Sequence, residues 1–257
     1  MPVALYCFDF DGTLVDKENS PAFEPALARQ LTEARREGAS WVINTGRSLH
    51  HTLEGVRGYG IPVTPDFIIA REHEIYARNR DGRWADLGVW NGEARRLHDT
   101  FFRHHARVLS DIRRFVEDER LGSWIEEAGD PAGLITHSEA GMARVIEFVH
   151  DHIAHWPDLG YQRNTIYLRF THRQFDKGTA LRELGRHLGL TPGELFAAGD
   201  NFNDLPMLRR DLAHHLVAPA NSLPEVKSQV VAEGGQLSML PASRAMAEAV
   251  TRLREGR

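Results

Sequence analysis

The hydrophobic positions of the chain follow two different patterns. Val3-Ala4-Leu5-Tyr6-Cys7-Phe8 is apolar on both alternations, as in a strand covered on both faces within a parallel sheet. A helix is expected next. Ser20 is placed to cap it and Pro21 stands at its first position. Phe23, Leu27, Leu31 and Ala34 share a face, Arg35 and Arg36 fill the last turn, and Gly38 ends it. Two further buried runs follow, Trp41-Val42-Ile43 and Phe67-Ile68-Ile69. The order strand, helix, strand, helix, strand predicts an α/β sheet with right-handed crossovers. The same order returns near residue 176. Leu181, Leu184 and Leu188 mark a helix closed by Gly189, and Thr191, Pro192 and Glu194 form a capping box. Leu195-Phe196-Ala197-Ala198 reads as a strand, Leu205 to Arg210 as helical, and Leu216-Val217-Ala218 and Val230-Val231 as short strands.

Residues 73–172 obey other periods. Ile75-Tyr76 and Trp84 flank Arg80-Asp81-Gly82, a hairpin signal. Leu97, Phe101 and Val108 mark one amphipathic helix. Met142, Val145, Ile146, Val149, Ile153 and Trp156 mark another, stopped by Pro157. Tyr161 to Phe170 alternates, predicting a half-exposed antiparallel strand. The chain therefore divides into a core, residues 1–72 and 173–257, and an inserted α+β domain, residues 73–172.

Composition narrows the class. The 257 residues carry a net charge of −5 and are 42% hydrophobic, the balance of a soluble globular protein rather than an electrostatic nucleic-acid binder. No apolar run reaches the length of a membrane span. No basic region precedes the first apolar run, so a cytoplasmic protein without a signal peptide is expected. The single cysteine, Cys7, excludes an internal disulfide and a four-cysteine zinc site. One skew changes the picture: 28 arginines stand against three lysines, Lys17, Lys177 and Lys227. Where arginine is the ordinary cation, a lysine raises the question of whether its own chemistry is needed.

Four motifs lie at strand ends. Asp9-Phe10-Asp11-Gly12-Thr13 follows the first strand, where open α/β sheets bind ligands. It lacks the later glycine and closing glutamate of a calcium loop. Asn44-Thr45-Gly46-Arg47 follows the second strand, with a hydroxyl and a glycine amide placed to grip an anion, although such residues also cap helices. Lys177, in Asp176-Lys177-Gly178, opens a helix. Gly199-Asp200-Asn201-Phe202-Asn203-Asp204 gathers oxygen donors suited to a hard cation. An Asx-rich turn is the plainer reading of that last motif.

In order and placement, these four motifs resemble the haloacid dehalogenase superfamily. The resemblance implies a Rossmann-like α/β core with an inserted α+β cap of the second cap class, because the insert lies between Thr45 and Lys177. Glu74-Ile75-Tyr76 with Trp84 and Trp90, after Thr45-Gly46-Arg47-Ser48, is similar to sucrose-phosphate-phosphatase-like members. The implied activity is a magnesium-dependent phosphatase acting on a small phosphorylated metabolite, a sugar phosphate, through an aspartyl phosphate. Asp9 would be nucleophile and metal ligand. Asp11 would be general acid and base, with a raised pKa, its backbone carbonyl on the metal. Asp200 would be the other carboxylate ligand, with Asp204 a ligand or a partner of one. Thr45, Gly46, Lys177 and Asn203 would hold the phosphoryl oxygens. Arg47, Glu72, His73, Arg169 and His172 are candidate substrate contacts, and most of them read equally well as surface residues.

Other features carry less. His150, His152 and His155 read as a solvated helix end rather than a metal site. The basic stretch Arg103-His104-His105 with Arg107, Arg113 and Arg114 reads as a solvated face. Gly58-Tyr59-Gly60 lacks the third glycine of a dinucleotide loop. Cys7 is expected to be inert, Lys17 to lie near the site entrance and Lys227 on the surface. Two alternatives stay open at this level: a phosphomutase, and a catalytically silent sugar-phosphate binder. The partner in each case is a small-molecule phosphate ester, with no nucleic acid and no membrane. The oligomeric state is not legible.

Overall fold

The structure is a computed structural model that describes residues 2–127 and 130–256. Its strands form two sheets, which belong to two compact units: Met1–Asn91 with Asp176–Arg257, and Gly92–Phe175.

In the first unit, β1 (Leu5–Phe8), β2 (Ser40–Asn44), β3 (Phe67–Ala70), β4 (Glu74–Arg78), β5 (Trp84–Asp86) and three later strands make one sheet. The later strands are β10 (Leu195–Ala198), β11 (His215–Ala218) and β12 (Gln236–Leu237). Their order is β12-β11-β10-β1-β2-β3-β4-β5. It is parallel from β12 to β3, and β4 and β5 add antiparallel strands at one edge. The two alternations of β1 serve two cores, which is why every position there is apolar. Tyr6 and Phe8 pack with Trp41, Phe196, Leu27 and Leu31 of α1 (Pro25–Arg36) and with α8 (Ala242–Arg254). Leu5 and Cys7 pack with Val42, Ala197 and with α6 (Lys177–Leu188) and α7 (Pro224–Ala232). Burial pushes the Cys7 thiol up to about 12, so it is an inert core residue.

Several elements depart from expectation. The first helix begins at Pro25, capped by the Glu24 side chain on the Ala26 amide, rather than at Ser20-Pro21. Leu205 to Arg210 forms turns, not a helix. Val230-Val231 lies inside α7, where Pro224 sits at the first turn and Val226 and Val230 bury one face, four residues apart. The hairpin at Gly82 (φ +79) forms as predicted but belongs to the core sheet. Ile68 and Ile69 of β3 pair with Tyr76 and Ile75 of β4, and the Asn91 side chain bonds both backbone groups of Ile75. The compact insert therefore begins at Gly92 rather than 73, and it ends at Phe175 rather than 172.

The second unit holds an antiparallel sheet, ordered β6-β7-β9-β8. Its strands are β6 (Gly122–Glu127), β7 (Asp130–Thr136), β8 (Leu159–Asn164) and β9 (Tyr167–His172). What reads as one alternating strand over Tyr161–Phe170 is the β8–β9 hairpin, turned at Thr165 (φ +51). The single helix expected over Leu97–Val108 is two, α3 (Val89–His104) and α4 (Ala106–Asp118), broken at His105. The imidazole of His105 is held at the break. It reaches back to the Phe101 carbonyl (2.8 Å) and across to Asp158 (3.1 Å). With α5 (Glu139–Ile153), these elements bury Phe101, Ile112, Leu134, Met142, Leu168 and Phe170. The histidines near residue 152 are structural: His150 meets the Tyr161 hydroxyl (2.8 Å), and His152 stacks on Phe148 (3.7 Å).

His98 sits inside this unit with its tautomer set by its neighbours. Nδ1–H donates to the Ala94 carbonyl (2.9 Å), so Nε2 accepts from the Thr171 hydroxyl (2.8 Å). Burial leaves no room for a second proton and lowers its pKa to about 4. The unfolded chain takes up that proton near 6.5, so stability falls as pH drops from about 6.5 toward 4. The loss at the low end is about 3 kcal/mol. Denaturant unfolding followed by tryptophan fluorescence between pH 7 and 4.5 should show this slope. His98→Gln, which cannot titrate, should flatten it.

Candidate active site

The four motifs meet at the C-terminal ends of β1, β2 and β10, within the first unit. β1 delivers Asp9, whose amide still donates to Ala198 of β10 (3.0 Å). Lys177 stands at the first position of α6, fully buried, behind the Asp176 cap. Its ammonium donates to Asp9 Oδ1 (2.5 Å) and Asp204 Oδ1 (2.6 Å). Its carbonyl accepts from the Asn44 side chain at the end of β2 (3.0 Å). Burial alone would strip the proton from Lys177. Asp204, Asp9 and Glu72 outweigh it and raise the pKa well above the ordinary value, so Lys177 is a permanent ammonium.

The carboxylates around it carry surplus charge. Burial, then repulsion from Asp204 and Asp200, raises the pKa of Asp9, only partly offset by Lys177. Burial and the Asp204 charge push Asp200 up to about 7. The Thr13 hydroxyl holds Asp200 Oδ1 (2.6 Å). Gly12 makes this approach possible. Its φ is +86, and a Cβ there would lie 2.5 Å from Asp200 Oδ2. Asp204 is engaged on both oxygens: Lys177 donates to Oδ1, and the amides of Asp200 (2.8 Å) and Asn201 (2.9 Å) donate to Oδ2.

A hard divalent cation fits this set. Asp9, Asp200 and Asp204 each bring a carboxylate oxygen within 4.8 Å of the others, and no other such group of acids, histidines or cysteines occurs among the described residues. All donors are oxygen, the site is buried, and burial, with the repulsion of neighbouring carboxylates, raises the Asp9 and Asp200 carboxyls. Asp9 Oδ2 and Asp200 Oδ2 accept no hydrogen bond from the described residues, whereas both Asp204 oxygens are already engaged, so Asp9 and Asp200 are the most open donors of the three.

Asp11 differs from expectation. Its carboxylate is clamped by Arg47 through two bonds of 2.7 Å, and Lys17 pairs with it at 2.7 Å. Burial works to raise its pKa, but these two cations outweigh it and hold the carboxyl below the usual range. The anticipated rise came from counting nearby anions along the sequence. The cations that reverse it arrive through folding. Arg47 is thus occupied by Asp11 and lies 4.9 Å over the Phe10 ring. Lys17, read only as an entrance residue, is a direct partner of Asp11.

Thr45 is buried beside these groups, and its hydroxyl accepts from the Arg47 amide (3.2 Å). Gly46 follows, its α-carbon facing Glu72. Asn203 donates its side-chain amide to Glu72 Oε1 (2.7 Å). Of the other candidate contacts, His73 accepts the Trp90 indole proton on its carbonyl (2.7 Å). Arg169 lies 5.7 Å over the Tyr167 ring and His172 packs near Phe101 and Phe175, all within the second unit. Two residues that position the site had no assigned role in the sequence: Thr13, which orients Asp200, and Asn44, which ties Lys177 to β2. Their place directly after Gly12 and before Thr45 was the available signal.

The chain is similar to several known proteins. The family model described as haloacid dehalogenase-like hydrolase matches residues 132–232. A Bacillus subtilis protein named "Putative phosphatase YxeH" is 40% identical over 245 residues, spanning 86% of this chain and 89% of that one. Among solved structures, the sucrose-phosphatase of Synechocystis sp. PCC6803, in complex with sucrose and phosphate, superposes with a TM-score of 0.72 at 18% identity, covering 99% of each chain. A haloacid dehalogenase-like hydrolase from B. subtilis gives 0.65 at 19% identity, covering 98% of this chain and 100% of that one. With that identity sustained along most of its length, the chain belongs to the haloacid dehalogenase-like hydrolases.

Proposed function

We propose that this hydrolase is a magnesium-dependent phosphatase of small phosphorylated metabolites, with sugar phosphates as the substrate class, working through an aspartyl phosphate on Asp9. The observation that carries this reading is the Asp9–Lys177–Asp204 bridge at the sheet's C-terminal edge, with Asp200 alongside. A buried carboxylate held on one oxygen by a permanent ammonium is a nucleophile already aimed. The name of the B. subtilis relative supports the reaction class. The fold likeness to a sucrose-phosphatase supports the sugar class.

Asp9 and Asp200, with the carbonyl of Asp11, would hold the cation, which when bound supplies the charge neutralisation that lets a carboxylate approach a phosphate dianion. Asp9 Oδ2 attacks phosphorus, and the ester oxygen leaves as the new bond forms. Lys177, already on Oδ1, faces the charge that develops on the transferring group, with Thr45 and the Gly46 amide as further donors. Asp11 serves first as acid to the leaving oxygen and then as base to the hydrolytic water. In the geometry described it is ionised and held by Arg47 and Lys17, which is the base state. Donating a proton requires that grip to loosen. The insert, residues 92–175, would choose the leaving group and exclude water.

Asp9→Asn should fold, as judged by circular dichroism and a cooperative melt, and should release no phosphate from p-nitrophenyl phosphate or a sugar-phosphate panel with magnesium. Steady-state turnover by the pure variant would remove Asp9 as nucleophile. Lys177→Arg keeps the charge but replaces a compact ammonium with a larger planar fork in a sealed pocket. Its kcat should fall about a hundredfold or more, and a loss under threefold would mean that Lys177 is not a transition-state contact.

A further inference from the structure

The β3–β4 connection carries a carboxylate into the site at a place where the backbone resists it. Arg71 and Glu72 have φ values of +47 and +68, the left-handed region that glycine enters freely and other residues enter at a cost of about 1 kcal/mol or more. Two backbone bonds hold the turn there, Arg71 N–H to the Arg47 carbonyl and Glu72 N–H to the Thr45 carbonyl, both 2.9 Å. Arg71 turns its guanidinium to Glu74 (3.2 Å). Glu72 turns inward and is 4% exposed.

Its position is specific. Oε1 accepts the Asn203 amide proton at 2.7 Å, and it would lie 3.3 Å from a Cβ on Gly46. Glu72 therefore stands between Gly46 and Asn203, two of the groups assigned to the phosphoryl oxygens. A carboxylate only accepts, so it also fixes which end of the Asn203 amide faces it. The Asn203 Oδ1 atom on the other side is buried with no partner among the described residues. The charge of Glu72 is felt as far as Lys177, whose ammonium it helps to keep protonated.

We propose that Glu72 is a specificity-determining residue that weakens retention of a phosphate dianion: a fixed negative charge in the wall of the phosphoryl pocket, touching the same donors the phosphate uses. This rests on the phosphatase reading and deepens it. Around Lys177 stand Asp9, Asp200, Asp204 and Glu72, and Arg47 and Lys17 are turned to Asp11. The cation that Asp9 and Asp200 would hold offsets two of these negative charges but does not touch Glu72, so a phosphate dianion beside Gly46 and Asn203 still meets an anion in a desolvated wall, and the two repel. The transferring phosphoryl group, with its charge spread and shared with Asp9, suffers this less than free orthophosphate does. Glu72 thereby favours product departure over product retention, which gives a glycine-like backbone position a reason to hold a glutamate.

The test measures orthophosphate binding by isothermal titration calorimetry in magnesium-containing buffer, using the full chain. Glu72→Gln keeps an acceptor for Asn203 and removes the charge. Glu72→Gly suits φ +68 and guards against a folding artefact. Both should bind orthophosphate about tenfold tighter than the natural protein. In turnover, Glu72→Gln should show a lower KM, a kcat no higher, and inhibition by orthophosphate at correspondingly lower concentration. A residue that merely props the loop would, on removal, loosen phosphate rather than tighten it. Unchanged or weaker orthophosphate binding in both variants overturns the proposal while leaving the phosphatase reading intact. No orthophosphate binding by any of the three proteins overturns both.

Discussion

A buried ammonium cannot stand alone, and the active end of this molecule is organised around meeting that demand. Taking Lys177 out of water costs several kcal/mol unless opposite charge and hydrogen bonds replace the lost hydration. Two carboxylates do so, Asp9 from the end of β1 and Asp204 from the loop after β10. The lysine's own carbonyl is held by Asn44 at the end of β2. Three strand ends and one helix N-terminus are thereby fastened at a single point. Asp204 then has a free oxygen, which collects the amides of Asp200 and Asn201 and shapes the loop that presents Asp200. The position of the second carboxylate is a consequence of how the first ion pair is satisfied.

That network also explains what could and could not be read along the chain. β1, β2 and β10 were legible because a strand buried on both faces is apolar on both alternations, and few other elements look like that. Val230-Val231 shows the limit of the rule. Two β-branched residues resemble a strand fragment, but the four-residue spacing from Val226 and Pro224 at the helix start decide for α7. The β8–β9 turn at Thr165-Ile166 lacks glycine, and the alternation continues straight through it. At the break between α3 and α4, His105 meets Asp158, 53 residues away, a contact that no local pattern encodes. The place of β4 and β5 in the core sheet is hidden for a related reason, since β4 is held by pairing with β3 and β5 by pairing with β4, which no change in composition marks.

The site divides in the same way. Asp9, Asp11, Thr45, Asp200, Asn203 and Asp204 follow strand ends and Lys177 opens a helix, and the order of these motifs is what carries the family resemblance from which their roles are taken. Their electrostatic state is not legible there. Asp11 lies two residues from Asp9 in sequence, and anions surround it there. In space it faces Arg47 and Lys17, and its pKa falls instead of rising. Glu72 and Asn203 are 131 residues apart and share a short hydrogen bond. Sequence separation hides contacts that charge alone would have made obvious.

The scarcity of lysine takes on a physical meaning from this. In a chain of 28 arginines, Lys177 fills a sealed space between two carboxylates, where a compact ammonium fits and a guanidinium does not. Lys17 points a flexible, half-exposed ammonium at Asp11 Oδ1, the oxygen it shares with one arm of a bidentate Arg47. Lys227, expected on the surface, is half-buried and donates to the Ala220 carbonyl (2.6 Å), while the neighbouring Asn221 bonds the carbonyl of Gly12 (2.8 Å). Arginine serves where a fork must grip a carboxylate in one orientation, as Arg47 does. Lysine serves where the cation must be small, or must be able to let go. The two cations on Asp11 are thus of opposite kinds, one that fixes its plane and one that can leave. Under the proposed mechanism, in which Asp11 acts first as an acid and then as a base, such a pair would hold the carboxylate in place and still let it change protonation state.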